Sequence, residues 1–248
     1  MYINMNSGTE IPAVTTAQMA EVDRLMIETY GISLVQMMEN AGKNLAELAR
    51  RRLGGQVIGK RIAAVCGAGN NGGGGMVAAR HLSNWGAEVQ AWLAADPKKL
   101  KDVPERQWRI LQRIGVAKYI AGEIEDPLTG INKPDLILDA LIGYGLNGNP
   151  RGRAAEWIEW MNLSNVPIIS LDAPSGLDTT SGVPGNPCIR ANATLTLALP
   201  KTGLLAPEAK PYAGDLFLAD ISVPPRLYRQ LGLVVPPLFI RGSIQRID

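Results

Sequence analysis

A glycine-rich segment at residues 66–75 is the strongest candidate for ligand binding. It reads CGAGNNGGGG and leads into a helical pattern that starts at Met76. Glycines let backbone N–H groups approach an anion closely, and a helix N-terminus adds partial positive charge. The segment therefore predicts a pyrophosphate site, and a tight turn that serves only chain geometry is the alternative. The amides of Asn70 and Asn71 could face a cation or a ribose, or satisfy their own backbone.

The same segment also fits a dehydrogenase fingerprint. Gly67, Gly69 and Gly72 satisfy G-x-G-x-x-G, and Asp96 lies just past the next apolar run, where a ribose-binding acid would stand. That motif alone is a weak signal. No tyrosine in the chain is followed four residues later by lysine, so the catalytic pair of short-chain dehydrogenases is absent. An NAD-dependent dehydrogenase is therefore a competing hypothesis of lower rank.

A second candidate loop, residues 139–152, places Asp139 within an apolar strand and continues through several glycines. A buried carboxylate is costly unless it is paired or bound to a cation, so Asp139 is a candidate cation ligand. The alternative is that Asp139 only accepts backbone N–H hydrogen bonds. Arg151 could neutralise a phosphate or be a solvated surface charge.

A third candidate loop, residues 171–178, places Asp172 at the end of an apolar strand. A carboxylate between an apolar wall and a ligand is well placed for proton transfer, so Asp172 is the best general acid–base candidate. Its alternative is a loop-capping aspartate. Asp178 precedes a polar turn and is interpreted as such a cap.

Other reactive side chains give weaker signals. The only histidine, His81, falls in the helix after the glycines, which argues against a Ser-His-Asp hydrolase. Cys66 and Cys188 form neither a disulfide framework nor a metal cluster. Lys201 could reach the ligand or only solvent, and solvent is the preferred interpretation. Trp157 and Trp160 are interpreted as the buried face of a helix.

The elements that must position these loops alternate along the chain. Two amphipathic N-terminal helices are predicted, the first between a capping box at Thr15 and Gly31, the second over residues 33–53. Apolar runs at 62–66, 89–93, 136–142, 168–171, 194–199 and 216–221 predict strands, with helices near 75–86, 104–114 and 152–162. This alternation predicts an α/β fold whose central sheet is mostly parallel. The loops after parallel strands share one edge of a sheet, where ligands usually bind.

Length and composition limit the class of protein. The chain has 248 residues, 46% of them hydrophobic, which predicts one domain over residues 1–248. Its 25 basic and 23 acidic residues are scattered, so nucleic acid is not an expected partner. We expect no membrane span or signal peptide, and with two isolated cysteines we expect the cytoplasm.

Several of these stretches together resemble the NAD(P)H-hydrate epimerase family, the amino-terminal half of bifunctional repair proteins of the YjeF type. The likeness lies in Met38-Glu39-Asn40-Ala41-Gly42, the glycine-rich segment, and the loops beginning at Asp139 and Asp172. Residues 198–204 and 219–221 support it. These segments follow the family's order over nearly the whole chain.

The resemblance implies a Rossmann-like three-layer αβα sandwich, often dimeric, that interconverts the R and S epimers of hydrated NADH or NADPH (NADHX or NADPHX). It implies one potassium ion per subunit, with ligands at Asn71, Asp139 and Ser175, and Asp172 as the proton shuttle. It also implies that the dinucleotide contacts Asn70, Asn71, Gly72, Gly73, Gly74, Gly143, Tyr144, Gly145, Leu146, Asn147, Gly148, Asn149 and Asp172. A separate NAD(P)HX dehydratase is expected in the same pathway, and a homodimer is expected in solution.

One position departs from the family pattern. The family usually reads Asn-Asn-Gly-Gly-Asp-Gly, and this chain has Gly74 where that aspartate stands. No carboxylate nearby in the sequence obviously replaces it. The alternative function is therefore a non-catalytic nucleotide-binding or scaffold module of the same fold, such as the dimeric scaffold in the eukaryotic messenger-decapping enhancer.

Overall fold

A computed structural model of the protein describes residues 2–4, 10–118, 133–146 and 148–248, in which helices and strands alternate as predicted. The α-helices are α1 Thr16–Glu28, α2 Leu34–Arg52, α3 Asn70–Asn84, α4 Asp102–Arg113, α5 Arg153–Leu163, α6 Lys210–Ala213 and α7 Pro225–Gln230. The strands are β1 Tyr2–Asn4, β2 Glu10–Pro12, β3 Arg61–Cys66, β4 Glu88–Leu93, β5 Ala117–Lys118, β6 Leu136–Ala140, β7 Ile168–Leu171, β8 Ala193–Leu197, β9 Asp215–Ala219 and β10 Ile244–Arg246.

Among the described residues, eight strands form one sheet in the order β10-β9-β8-β7-β6-β3-β4-β5. All its neighbouring strands are parallel except β10, which pairs antiparallel with β9. The predicted, mostly parallel sheet is confirmed. The sequence did not predict β5 and β10, because strands of two and three residues carry no recognisable apolar run. A separate hairpin of β1 and β2 precedes α1.

The helices cover both faces of this sheet, which confirms the three-layer αβα arrangement. In β3, Ile62 and Ala64 pack in one cluster with apolar side chains of α2, α3 and α4. The alternate residues Ala63 and Val65 pack in another cluster with α5, whose Trp157 is fully buried as predicted. Successive side chains of a strand point to opposite faces, so a strand buried on both faces has a continuous apolar sequence.

Both predicted N-terminal helices are present and begin with capping boxes. The Thr15 hydroxyl accepts a hydrogen bond from the Gln18 backbone amide, and the Thr15 backbone N–H donates to the Gln18 side chain. Ser33 and Gln36 make the same two bonds at α2. Each box satisfies backbone donors that the first helical turn would otherwise leave unpaired. The buried face of α1 carries Met19, Val22 and Met26.

The glycine run starts α3 rather than preceding it. The helix begins at Asn70, whereas the sequence predicted a start near residue 75. Consecutive glycines are poor helix formers in isolation, but here packing demands them. A Cβ atom on Gly73 would lie 2.5 Å from the Met38 sulfur, and one on Gly75 would lie 2.4 Å from the Ala140 Cβ. Tight contact with α2 and β6 therefore overrides helix propensity.

Three apolar runs continue beyond the strands that they predict. β6 ends at Ala140, β8 at Leu197 and β9 at Ala219, each two residues before the predicted end. The residues that follow remain apolar because they are buried against the helices and loops at this edge, as Leu141, Leu199 and Ile221 are. Periodicity alone does not distinguish such a buried bend from a strand.

The order of strands reverses between β3 and β6. The chain proceeds from β3 to β4 on one side and later returns to place β6 on the other, so the loops after β3 and β6 diverge. Such a switch point creates a crevice at the carboxyl ends of the strands. At its base the loops touch, since a Cβ atom on Gly67 would lie 2.1 Å from the Leu141 carbonyl oxygen. In the described part of the chain, no helix has the length and apolar character needed to cross a bilayer.

Candidate active site

A cavity of about 350 Å³ lies at the carboxyl ends of β3, β6 and β7, with α1 and α2 closing its outer side. This volume is within the range of small-molecule sites. Its apolar lining consists of Leu34, Met37, Met38, Ala41, Leu141, Ile142, Leu171, Leu197 and Ile221. Its polar side chains are Asp23, Asn70, Asn71, Tyr144 and Asp172. The three predicted loops thus meet at one edge of the sheet.

Most of the predicted binding residues line this cavity: Asn70, Asn71, Gly74, Gly143, Tyr144, Gly145 and Asp172. Gly72 and Gly73 are buried inside α3, and Leu146, Gly148 and Asn149 follow further along the second loop; these five are not part of the lining. The Asn149 side chain instead accepts a hydrogen bond from the Asn186 amide at 3.1 Å. Asn147 lies outside the described residues.

Asp172 occupies a strained turn directly after β7. Its φ of +66° is in the left-handed region, and the Ala173 amide donates to the Leu171 carbonyl at 2.9 Å across a three-residue turn. Non-glycine residues in such conformations cluster at functional sites. One carboxylate oxygen of Asp172 accepts the Tyr144 backbone N–H at 3.0 Å. The turn thus presents a buried carboxylate, 3% exposed, to the cavity.

Lys201 forms an ion pair with Asp172, so the prediction that the Lys201 side chain reaches only solvent was wrong. Its ammonium group is fully buried and forms an ion pair with the other carboxylate oxygen of Asp172. It also donates to the Thr196 hydroxyl at 3.2 Å and to the Leu197 carbonyl at 3.0 Å, so all three of its protons have acceptors. The chain bends back at Ala198, whose φ is +63°, and this reversal directs Lys201 inward.

The segment that carries Lys201 is held by the N-terminal part of the chain. The Val14 amide donates to the Pro200 carbonyl at 2.9 Å, and the Thr202 amide donates to the Val14 carbonyl at 2.9 Å. These two bonds pair Val14 with Lys201 as an isolated parallel bridge. Residues before α1 therefore help to fix the counter-ion of Asp172.

Asp23 is a second carboxylate in the cavity, which the sequence reasoning missed. It lies on α1 and accepts the Tyr144 hydroxyl at 2.5 Å. Burial raises the pKa of Asp23, while the Tyr144 hydrogen bond and the charge of Lys201 act in the opposite direction. A signal was present in the sequence: Asp23 follows Met19 by four residues and precedes Met26 by three, so it falls on the apolar face of α1.

Asp139 lies behind the cavity and is completely buried. It accepts the Ser170 hydroxyl at 2.7 Å, the Ser175 hydroxyl at 2.6 Å, and the backbone amides of Ser175 at 2.9 Å and Leu141 at 3.3 Å. Burial raises its pKa against the effect of these donors. The alternative from sequence, a carboxylate that accepts backbone N–H groups, is therefore present, together with two hydroxyl donors.

Asn71 and Gly143 connect the first loop to Asp172. A Cβ atom on Gly143 would lie 3.1 Å from the Asn71 amide carbon and 3.1 Å from a carboxylate oxygen of Asp172, so only glycine leaves these side chains undisturbed. The Asn71 side-chain nitrogen is buried and has no hydrogen-bond partner within the described residues. Buried polar groups are nearly always paired, so this N–H donor is suited to an acceptor oxygen of a bound ligand.

The remaining candidates have structural roles. Asp96 caps the short helix Pro97–Lys99 through the Lys98 amide, and Asp178 accepts the Thr180 and Ser181 amides as a loop cap, as predicted. His81 contacts Glu39 at 2.8 Å on the outer side of α3. Arg151 is exposed. The dehydrogenase hypothesis requires Asp96 to bind a ribose. Asp96 instead caps a helix and does not line the cavity, so the structure argues against this hypothesis.

Gly74 opens the cavity beside Leu171. A Cβ atom at this position would lie 2.7 Å from the Leu171 side-chain methyl Cδ2, which can move. An aspartate here would therefore direct its carboxylate along this apolar wall. Besides Asp172, the carboxylate of Asp23 lines this cavity, and Asp23 is distant from Gly74 in the sequence.

Comparisons with known proteins agree with this architecture. The NAD(P)H-hydrate epimerase of Dehalogenimonas lykanthroporepellens is 45% identical over 242 residues, 97% of this chain and 94% of that protein. The bifunctional NAD(P)H-hydrate repair enzyme Nnr of Moorella thermoacetica is 38% identical over 86% of this chain, which matches 41% of that protein. The crystal structure of yeast ynu0 (YNL200c) shares the fold, with a TM-score of 0.81 at 22% identity, over 96% of this chain and 100% of that one.

The family model described as YjeF-related protein N-terminus matches residues 34–203. This range contains α2, the glycine-rich start of α3, and the strand-end loops that carry Asp139, Asp172 and Lys201. With this match and the close relatives above, the chain belongs to the family of YjeF-related protein N-termini.

Proposed function

We propose that the protein is an NAD(P)H-hydrate epimerase, an isomerase that interconverts the R and S epimers of NADHX and NADPHX. The observation that carries this proposal is the position of Asp172, a buried carboxylate that faces a ligand-sized cavity beside the N-terminus of α3. The relatives named as NAD(P)H-hydrate epimerases over nearly the full chain support it. The scaffold alternative has no comparable support, since Gly74 leaves the cavity open.

The cavity has two parts that suit the two parts of the substrate. Asn70 and Asn71 occupy the first turn of α3, where backbone N–H groups and the helix dipole favour a diphosphate. Apolar residues such as Met37 and Leu171 line the same cavity as Asp172 and suit a reduced nicotinamide ring. Binding at both ends would hold the ring against Asp172 and replace a chance encounter by a fixed geometry.

The reaction requires little beyond proton transfer. The substrate is a carbinolamine, so either its hydroxyl leaves and returns on the other face or its ring opens and recloses. Asp172 accepts a proton in either route. Lys201 holds this carboxylate in place, and the Tyr144 amide fixes its second oxygen.

We further propose that Asn71, Asp139 and Ser175 hold one potassium ion. The residues fit a cation, because Asp139 is a completely buried carboxylate and forms no ion pair with any described lysine or arginine. The Ser175 hydroxyl lies 2.6 Å from an Asp139 oxygen and 3.2 Å from the Ile142 carbonyl, so three oxygens converge at this point. A bound potassium ion would supply fixed positive charge behind the first and third loops.

This proposal predicts a potassium-dependent stability. At a concentration 100 times its dissociation constant, an ion that binds only the folded state stabilises it by about 2.7 kcal/mol, which is roughly 5–11 °C in Tm for a chain of this length. We expect that shift for the wild type in KCl relative to choline chloride at equal ionic strength, and its loss in Ser175→Ala. Differential scanning calorimetry measures both.

Ser170→Ala is the matched control for the potassium experiment. Ser170 and Ser175 both donate a hydroxyl to Asp139 and both are fully buried, but only Ser175 belongs to the proposed ligand set. Ser170→Ala should therefore lower the starting Tm and keep the response to potassium. An equal response in the two alanine variants would contradict the assignment.

The proposed function also bears on the pathway, the oligomeric state and the location of the protein. An epimerase serves a dehydratase that consumes only one epimer, so we propose a separate NAD(P)HX dehydratase in the same pathway. We also propose a homodimer and the cytoplasm as the location. Two free, buried cysteines, Cys66 and Cys188, are compatible with a reducing compartment.

A coupled assay tests the function. Purified protein is added to the R epimer of NADPHX together with a dehydratase that consumes only the S epimer, and NADPH is followed by its absorbance. We expect NADPH to form faster than by spontaneous epimerisation, in proportion to the protein added. Heat-denatured protein is the control. The absence of any acceleration would contradict the proposal and favour the scaffold function.

A further inference from the structure

Two carboxyl groups in the cavity are connected through one tyrosine. The Tyr144 backbone N–H donates to Asp172 at 3.0 Å, and the Tyr144 hydroxyl, at the far end of the same residue, donates to Asp23 at 2.5 Å. All three residues line the cavity. The ammonium of Lys201 lies 5.8 Å from the centre of the Tyr144 ring, within the range of a cation–π contact that fixes the ring.

We propose that Asp23 is a second acid–base residue of this site, so that the cavity offers one carboxyl group to each face of the substrate ring. The inference rests on the proposed epimerase function. In the route through loss of the hydroxyl, the hydroxyl leaves from one face of the carbon and is restored on the other, so proton transfer is needed on both faces. Asp172 and Asp23, at opposite ends of Tyr144, provide one carboxyl group for each face.

The surroundings of Asp23 suit a group that carries a proton. The titratable and charged groups that face it among the described residues are Tyr144, Lys201 and Asp172 from the strand-end loops and Tyr228 from α7. Burial, the largest effect, and the charge of Asp172 raise the pKa of Asp23; Tyr144 and Lys201 lower it. Asp172, in contrast, has the ammonium group of Lys201 in direct contact. The two carboxyl groups thus have different environments, as an acid and a base require.

The step balances with these two groups and water alone. Asp23 gives its proton to the substrate hydroxyl, the C–O bond breaks with its electron pair on oxygen, and water leaves while the ring nitrogen lone pair forms a C=N bond. A water molecule on the other face then attacks the same carbon, the C=N electrons return to nitrogen, and the proton of that water passes to Asp172. Proton exchange with solvent restores both groups, and the reverse direction exchanges their roles.

The test compares Asp23→Asn and Tyr144→Phe with Glu21→Gln in the coupled assay. Glu21 lies on the same helix in an exposed ion pair with Arg24, so Glu21→Gln should match the wild type. Asparagine keeps an oxygen that accepts the Tyr144 hydroxyl but carries no acidic proton. We expect Asp23→Asn to lower kcat by about 100-fold or more and to leave KM within a factor of about three.

The pH profile separates proton transfer from a structural role. If protonated Asp23 is the acid, wild-type kcat falls as the pH rises through the pKa of Asp23, and Asp23→Asn lacks this alkaline limb. Tyr144→Phe removes a hydrogen bond that lowers this pKa, so its alkaline limb should move to higher pH. An Asp23→Asn variant within threefold of an active wild type, or an unmoved limb in Tyr144→Phe, overturns the inference but not the epimerase function. A wild type that gives no acceleration overturns both.

Discussion

Replacing Asp172 by asparagine is expected to lower the epimerase rate by about 10²- to 10⁴-fold, the contribution typical of a positioned acid–base group. Asparagine is the suitable substitution because it adopts the left-handed conformation at φ +66° more readily than alanine does. The coupled assay measures the rate, and calorimetric titration with NADPH measures whether the cavity still binds a dinucleotide.

Two variants make this result interpretable. Asp178→Asn changes a carboxylate in the same loop that accepts the Thr180 and Ser181 amides and does not line the cavity, so it should retain wild-type activity. The double variant Asp172→Asn with Lys201→Met has no unpaired charge at this point, so its inactivity would reflect lost chemistry rather than lost folding. An Asp172→Asn protein that folds and works within tenfold of the wild type would remove Asp172 from the mechanism.

Replacing Lys201 alone by methionine is expected to destabilise the protein severely. Methionine preserves the apolar stem, but it leaves Asp172, which is 3% exposed, without its counter-ion. Removal of one partner from a buried ion pair costs about 3–5 kcal/mol, which corresponds to roughly 6–20 °C in Tm for a chain of this length. Thermal unfolding followed by circular dichroism measures this change.

The double variant provides the decisive comparison here as well. Neutralising both partners removes the unpaired buried charge, and such replacements are often neutral or stabilising. Asp172→Asn with Lys201→Met should therefore unfold at a higher temperature than Lys201→Met alone. If the losses of the two single variants simply add in the double variant, the two side chains are not energetically coupled.

The sequence predicted the loops that form the site but not the contacts between their side chains. The parallel strands and the positions of Asp139 and Asp172 at strand ends follow from apolar runs of the right length, because a local pattern is sufficient to define a strand. Lys201 could not be assigned in this way. Its direction depends on the reversal at Ala198 and on Val14, which is far away in the chain.

For Asp23, a local sequence pattern predicts the position of the side chain but not its hydrogen-bond partner. Its position on the apolar face of α1 was readable, but its partner Tyr144 is 121 residues away. Pairings of this kind depend on how the elements pack, and a single sequence carries no signal for them. Likewise, the start of α3 at Asn70 depends on contacts of its glycines with α2 and β6 rather than on propensity.

The separation of 29 residues between Asp172 and Lys201 has a consequence for biosynthesis. A ribosome adds about 5–20 residues per second, so the aspartate precedes its lysine by roughly 1–6 s. During that interval a nascent chain that buried Asp172 would have to shield a bare negative charge. The edge of the sheet at the carboxyl ends of the strands, where Asp172 lies, is thus expected to stay exposed to solvent on the ribosome. It is expected to become buried only after Lys201 has emerged.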